Sequence, residues 1–126
     1  MKYALDSDVL IAFLKGDPAA HRFLKENAQE TTTTIITALE ILSGVLPSTR
    51  REREALVTLQ ALEPKHLDWN AMIASATVTR NLERRGNPIG QNDEVIAGIC
   101  IANDLALVTQ NKKHFAQVSG LKTKIW

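Results

Sequence analysis

A short apolar run that stops on an acid constrains this chain more than any other feature. Residues 2–5 read as a strand, Asp6 ends it, and Ser7-Asp8-Val9-Leu10-Ile11 follows at once as the opening of a helix. A carboxylate at a strand-to-helix junction lies at the carboxyl edge of a sheet, where open α/β sheets bind their ligands. Two more acids sit in similarly apolar company: Glu40 within Thr37-Ala38-Leu39-Glu40-Ile41-Leu42, and Asp93 near the head of Asn92-Asp93-Glu94-Val95-Ile96-Ala97. An unpaired buried charge is costly, and no Arg or Lys adjoins any of the three in sequence. A divalent cation is the simplest partner that serves all of them.

The rest of the chain keeps the same alternation. The β-branched run from Thr31 to Thr34 leads into Ile35-Ile36 and favours a strand. Helices are expected over residues 8–15, with Ser7 as N-cap, and over 18–26, with Asp17 as cap and Pro18 at the first helical position. Further helices are expected over 38–46 and 48–62, and a short third strand over 62–67, weakened by Pro64. In 69–85, Ala71, Ala74, Val78 and Leu82 share one face at the helical period, and Gly86-Asn87-Pro88 ends the run. A helix over 92–103, a buried strand over 105–109 and a last strand over 123–126 complete the order. Strands alternating with helices imply a parallel sheet between helical layers. The expected architecture is a three-layer α/β sandwich of about five strands, one domain over residues 1–126.

Composition narrows the partners. Of 126 residues, 44% are hydrophobic, enough for a real core, and the net charge of +1 does not announce nucleic acid. Charge distribution says more. Residues 105–126 hold Lys112, Lys113, Lys122 and Lys124 and no acid, and Arg50, Arg51, Arg53 and Arg80, Arg84, Arg85 form two further basic groups. Such clusters suit phosphates, although any one of them also reads as a solvated face. The single cysteine, Cys100, lies in an apolar run and reads as core. No stretch approaches the roughly 20 apolar residues of a membrane span, and Asp6 and Asp8 interrupt any secretory pattern. A cytoplasmic protein is expected.

An oxygen-rich set of carboxylates selects hard cations such as Mg²⁺ or Mn²⁺. His21, His66 and His114 are too scattered for a zinc site. In a helix, Glu40 shares its side with Thr37, Ser43 and Gly44, a small polar strip suited to a cleft wall. Asp93 or Asn92 also reads as a helix cap, and Asp6 as a loop acid near a helix dipole. Asp8 and Glu94 suit dipole or supporting hydrogen-bond roles, and Asn111 a turn or a neutral oxygen ligand.

At these residues a family resemblance becomes specific. Leu5-Asp6-Ser7-Asp8-Val9-Leu10-Ile11 resembles the opening of the PIN-domain ribonucleases, whose usual form is Asp-Thr/Ser-Asn. Thr37 to Gly44 resembles their second acidic motif, Pro88 to Ala97 the third, and Val108-Thr109-Gln110-Asn111 with His114-Phe115 the fourth. The ending from Val118 to Trp126 is similar to VapC toxins of type II toxin–antitoxin modules, and the match runs in order along essentially the whole chain.

The resemblance implies a PIN-like sandwich and a Mg²⁺-dependent endoribonuclease in which Mn²⁺ substitutes. Asp6, Glu40 and Asp93 match the metal-binding acids. Asn111 stands where the family often has Asp, so one firmly bound ion is expected. Asp8 replaces the usual Asn and would partly compensate for Asn111; unchanged metal affinity in Asp8→Asn would defeat that idea. Ser7 and Thr109 would hold carboxylates or water, and Lys112, Lys113, Arg84 and Arg85 would position RNA, with tRNA the family's usual target. A homodimer and a VapB-like antitoxin in a groove supplied by Ile11, Phe13, Leu14, Phe23 and Leu24 are also implied.

Two rival readings stand beside it. Asp6-Ser7-Asp8 also resembles the paired aspartates that open haloacid-dehalogenase-type phosphatases, but Leu10 replaces the expected Thr and Glu40 has no role there. A binding module that has lost catalysis is favoured only by Asn111.

Overall fold

The computed structural model describes residues 1–126. Its sheet has four strands in the order β2-β1-β3-β4. These are β1 (Tyr3–Leu5), β2 (Thr31–Thr33), β3 (Ala106–Val108) and β4 (Lys122–Lys124), each pairing parallel with its neighbour. The helices are α1 (Ser7–Leu14), α2 (Pro18–Asn27), α3 (Ile35–Ser43), α4 (Arg50–Leu62), α5 (Trp69–Arg84), α6 (Gln91–Ala102) and α7 (Lys112–Phe115).

Side-chain alternation along the strands builds the two outer layers. Leu5 and Val108 face one cluster with Val9, Leu10, Phe23, Ile41 and Leu59, so α1 to α4 cover that side. Ala4 and Leu107 face the other with Ile96, Cys100 and Phe115. Val78, Leu82, Ala97 and Val118 seal α5 against α6 behind it. That seam is close: a Cβ built on Gly98 would stand 2.6 Å from the Ser75 Cα. Burial pushes the Cys100 thiol up to about 12, as fits a core residue.

Several boundaries differ from the sequence reading, each for a local reason. The sheet has four strands because Pro64 and the left-handed Glu63 (φ 48°) reduce residues 62–67 to a single bridge from Lys65 to Thr34. Ile35 and Ile36 belong to α3, not to the strand, because the Thr34 hydroxyl accepts from the Thr37 N–H (3.0 Å) and caps the helix there. The cap of α1 is Asp6 rather than Ser7. The cap of α6 is Gly90 at φ 105°, a backbone that a side chain would strain, rather than Asn92 or Asp93. Phe23 is buried in the core and supplies no groove, and Leu24 is partly buried against that core.

Candidate active site

The strand order changes direction at β1: β2 lies on one side and β3 on the other. Ligands bind at such a switch point, outside the carboxyl ends of the strands. Asp6 stands at the end of β1 and Thr109 at the end of β3. The Asp6 N–H donates to the Val108 carbonyl (3.0 Å), and the Thr109 hydroxyl donates to Asp6 Oδ2 (2.9 Å). The Ser7 N–H donates to Asp6 Oδ1 (2.9 Å). Each carboxylate oxygen thus takes one donor and keeps a lone pair for another.

Asp8 is more fully occupied. Its Oδ1 accepts from the Val9 N–H (2.8 Å); its Oδ2 accepts from the Gln110 N–H (2.8 Å) and lies 3.3 Å from the Thr109 hydroxyl, whose one proton it shares with the closer Asp6. Asp8 therefore ties the head of α1 to the turn after β3. The Asn111 N–H closes that turn on the Thr109 hydroxyl (3.0 Å). Asn111 itself is exposed at the start of α7, where its side chain makes no capping bond.

Glu40 comes from α3 and Asp93 from the first turn of α6, both near enough to Asp6 for the charges of these acids to act on one another. Burial holds the Asp6 carboxyl above the ordinary range, and the negative charges of Asp8 and Asp93 add to it, against the relief from Ser7 and Thr109. Glu40 is raised too, by partial burial and by Asp93 and Asp6, with some relief from the Asn92 side chain. Neither is ion-paired with an Arg or Lys.

The donor set suits a hard cation in its chemistry: oxygen donors only, mutually repelling, with no fixed positive charge among them. As the side chains stand, no three of them close on a single point. The glutamate has three side-chain torsions and the aspartates two with which to do so.

The basic residues differ in how free they are. Arg84, Lys112 and Lys113 are exposed. Arg85 is exposed as well, but its guanidinium donates to the Gln117 carbonyl, and the Asn87 amide donates to the Gln117 side chain. Arg85 thus helps clasp the turn before α6 to the segment after α7.

Two more residues shape this region. Glu94 is buried and accepts from the Thr79 hydroxyl (2.8 Å) and the Ile89 N–H (3.1 Å), fixing the turn that presents Asp93. His114 Nε2 lies 2.8 Å from Asp93 Oδ2. The supporting hydrogen-bond role of Glu94 is the one its sequence position suggests; for His114, only its place beside the fourth motif hints at the contact with Asp93.

Beside Glu40 an open groove of about 540 Å³ is lined by Ile11, Leu14, Ile41, Val45 and Arg51 among others. A second groove, holding Phe13 and Val57, meets it at Leu14 and Glu54.

A switch-point acid supported by acids from two further helices defines a nuclease-like α/β class, and comparison with known proteins makes it particular. Residues 3–121 match the PIN domain model, and the chain belongs to the PIN domain family. It is 30% identical to the tRNA(fMet)-specific endonuclease VapC of Shigella flexneri, over all of this chain and 98% of that protein. It is 31% identical to ribonuclease VapC10 of Mycobacterium tuberculosis, over 94% of this chain and 89% of that one. Among solved structures, DNA-bound VapBC from Salmonella typhimurium superposes with a TM-score of 0.88 at 25% identity, covering 100% and 98% of the two chains. VapBC2 from Rickettsia felis, bound to a promoter DNA fragment, gives 0.87 at 26% identity, covering 100% and 99%. Membership in this family sets aside the phosphatase reading of Asp6-Ser7-Asp8.

Proposed function

We propose that this chain is a VapC-type toxin. It is a metal-dependent endoribonuclease that hydrolyses RNA phosphodiester bonds, with Mg²⁺ as its ion, Mn²⁺ as a substitute and a tRNA as its substrate. What supports this reading is the nearness of Glu40 and Asp93 to the switch-point acid Asp6, such that Asp6 and Glu40 are each raised partly by the charges of other acids. The full-length similarity to a tRNA-specific endonuclease supports the substrate class.

Asp6, Glu40 and Asp93 would hold the ion, with Asn111 at the margin. Bound there, a hard cation supplies Lewis acidity toward water and toward the phosphate oxygens at the scissile bond. The chain's own residues do the rest. Thr109 and the Ser7 N–H fix the Asp6 carboxylate. Asp8 holds Thr109 and Gln110 in place, so its contribution is to the shape of the site. Lys112, Lys113 and Arg84 bind backbone phosphates, which positions RNA without reading its sequence; Arg85 shares this role only in part, because of its bond to Gln117.

The groove beside Glu40 suits an apolar segment of a VapB-like antitoxin, a reading supported by the VapBC assemblies that this chain resembles. A homodimer and a cytoplasmic site of action complete the proposal, with residues 1–126 as one nuclease domain. No helix is long and apolar enough to cross a membrane.

The test is incubation of antitoxin-free protein with total tRNA in Mg²⁺, Mn²⁺ or EDTA, with mapping of fragment ends. Discrete, metal-dependent fragments with 5′-phosphate and 3′-hydroxyl ends are expected. Intact RNA in every ion would overturn the enzyme reading and favour a binding module.

A further inference from the structure

We propose that His114 is a positioning residue for Asp93, an inference that rests on Asp93 being one of the ion-holding acids. The site's carboxylates are supported very differently. Asp6 is held by a backbone N–H and a hydroxyl, and Asp8 by two backbone N–H groups and the same hydroxyl. The Asp93 carboxylate makes one hydrogen bond, to the His114 imidazole at 2.8 Å. Without it, the two torsions of Asp93 would be free to turn the carboxylate away from Asp6 and Glu40.

The imidazole is itself well placed to act as a fixed point. The next residue, Phe115, is 1% exposed and packs with Ala4, Ile96 and Leu107, so α7 is pinned to the sheet. The His114 ring stands edge-on to the Phe115 ring, with centroids 5.3 Å apart at 81°. Phe115 thus carries sheet geometry to His114, and His114 carries it to Asp93. With Nε2 as the donor, one oxygen of Asp93 is engaged and the other is left for a ligand. Partners of this kind, one step behind the groups that hold an ion, govern affinity by orienting them.

The experiment is titration of Mn²⁺ alone into the whole protein by calorimetry, comparing wild type, His114→Asn and His114→Gln. A glutamine amide reaches about as far as Nε2 and keeps the donor; an asparagine amide falls short. The expected result is Mn²⁺ affinity about 10-fold weaker in His114→Asn and within about twofold of wild type in His114→Gln. Melting temperatures should stay level, since the ring is partly exposed. Should His114→Asn fail to fold, His114→Phe keeps an aromatic ring beside Phe115 and removes the donor, with the same expectation.

Unchanged affinity without the donor would overturn the proposal. Tighter binding would also overturn it, because His114 would then be competing with the ion for Asp93. Equal weakening in the Asn and Gln variants would do the same, since ring packing rather than the hydrogen bond would be responsible. Wild-type protein that binds no Mn²⁺ would overturn both this inference and the reading of the acids beneath it.

Discussion

Asp6 and Glu94 are buried to almost the same degree, 7% and 5% exposed, and neither has a cationic partner. Their surroundings differ in kind. Glu94 turns into the seam between α5 and α6, where the Thr79 hydroxyl and the Ile89 N–H each take one oxygen. Asp6 has two donors as well, yet its carboxyl stays raised, because burial and the charges of Asp8 and Asp93 outweigh them. A buried acid with its own donors is a structural tie. A buried acid crowded by other acids at a sheet's switch point leaves a charge for a ligand to neutralise. Burial alone does not separate the two; the company does.

Substitution should separate them sharply. Asp6→Asn is expected to cost at least about 100-fold in RNA cleavage. In ion-free buffer at neutral pH it should nevertheless raise the melting temperature. The sign follows from linkage: an acid with a raised folded pKa binds its proton more tightly when folded, so its ionised form detracts from stability at neutral pH. That loss is relieved as pH falls through the folded pKa toward the unfolded value. Wild type should therefore gain stability relative to Asp6→Asn as pH is lowered from 7 toward about 4. Parallel stability curves would erase the distinction drawn between the two acids.

Glu94→Ala should do the opposite. It leaves a hydroxyl and a backbone N–H without partners and should destabilise the fold by about 1–3 kcal/mol, read by urea denaturation. A neutral result would mean that the seam does not depend on this tie. Gly98→Ala tests the same seam by volume, and overpacking against Ser75 should cost about 1–3 kcal/mol, with the site's acids untouched. The smallest effect belongs to the rim. Changing Lys112 and Lys113 to Ala should leave stability unchanged and lower the salt dependence of RNA binding by about one unit of slope for each phosphate that the variant no longer neutralises.

Much of this was legible in the sequence, and the reason is covalent proximity. Asp6, Glu40 and Asp93 stand out because each sits in or beside an apolar run, Asp6 and Asp93 at or near a helix start, a pattern that survives without tertiary information. Pro18 with Asp17, and Trp69 with the period of Ala71, Val78 and Leu82, fix α2 and α5 for the same reason.

What could not be read depends on how distant segments meet. The pairing of β1 with β3 spans about a hundred residues, and only that pairing brings Thr109 to Asp6. The expected strand near Pro64 shrank to a bridge because Glu63 turns left-handed at the end of α4. Ile35 and Ile36 look like strand by β-branching, yet the cap at Thr34 claims them for α3. Arg85 reads as a free cation until the fold carries Gln117 to it. The supporting role of Glu94 was legible, but its partners Thr79 and Ile89, and the pairing of His114 with Asp93, were not, because they are settled by how α5, α6 and α7 pack.

The most direct test of one ion site built on Asp6 is thermal unfolding of wild type and Asp6→Asn, with and without Mn²⁺. A ligand that binds only the folded state at about 100 times its Kd adds about 2.7 kcal/mol of stability. Mn²⁺ is expected to raise the wild-type melting temperature by several degrees and to move the variant little. Equal shifts in both proteins, or none in either, would contradict a site built on Asp6.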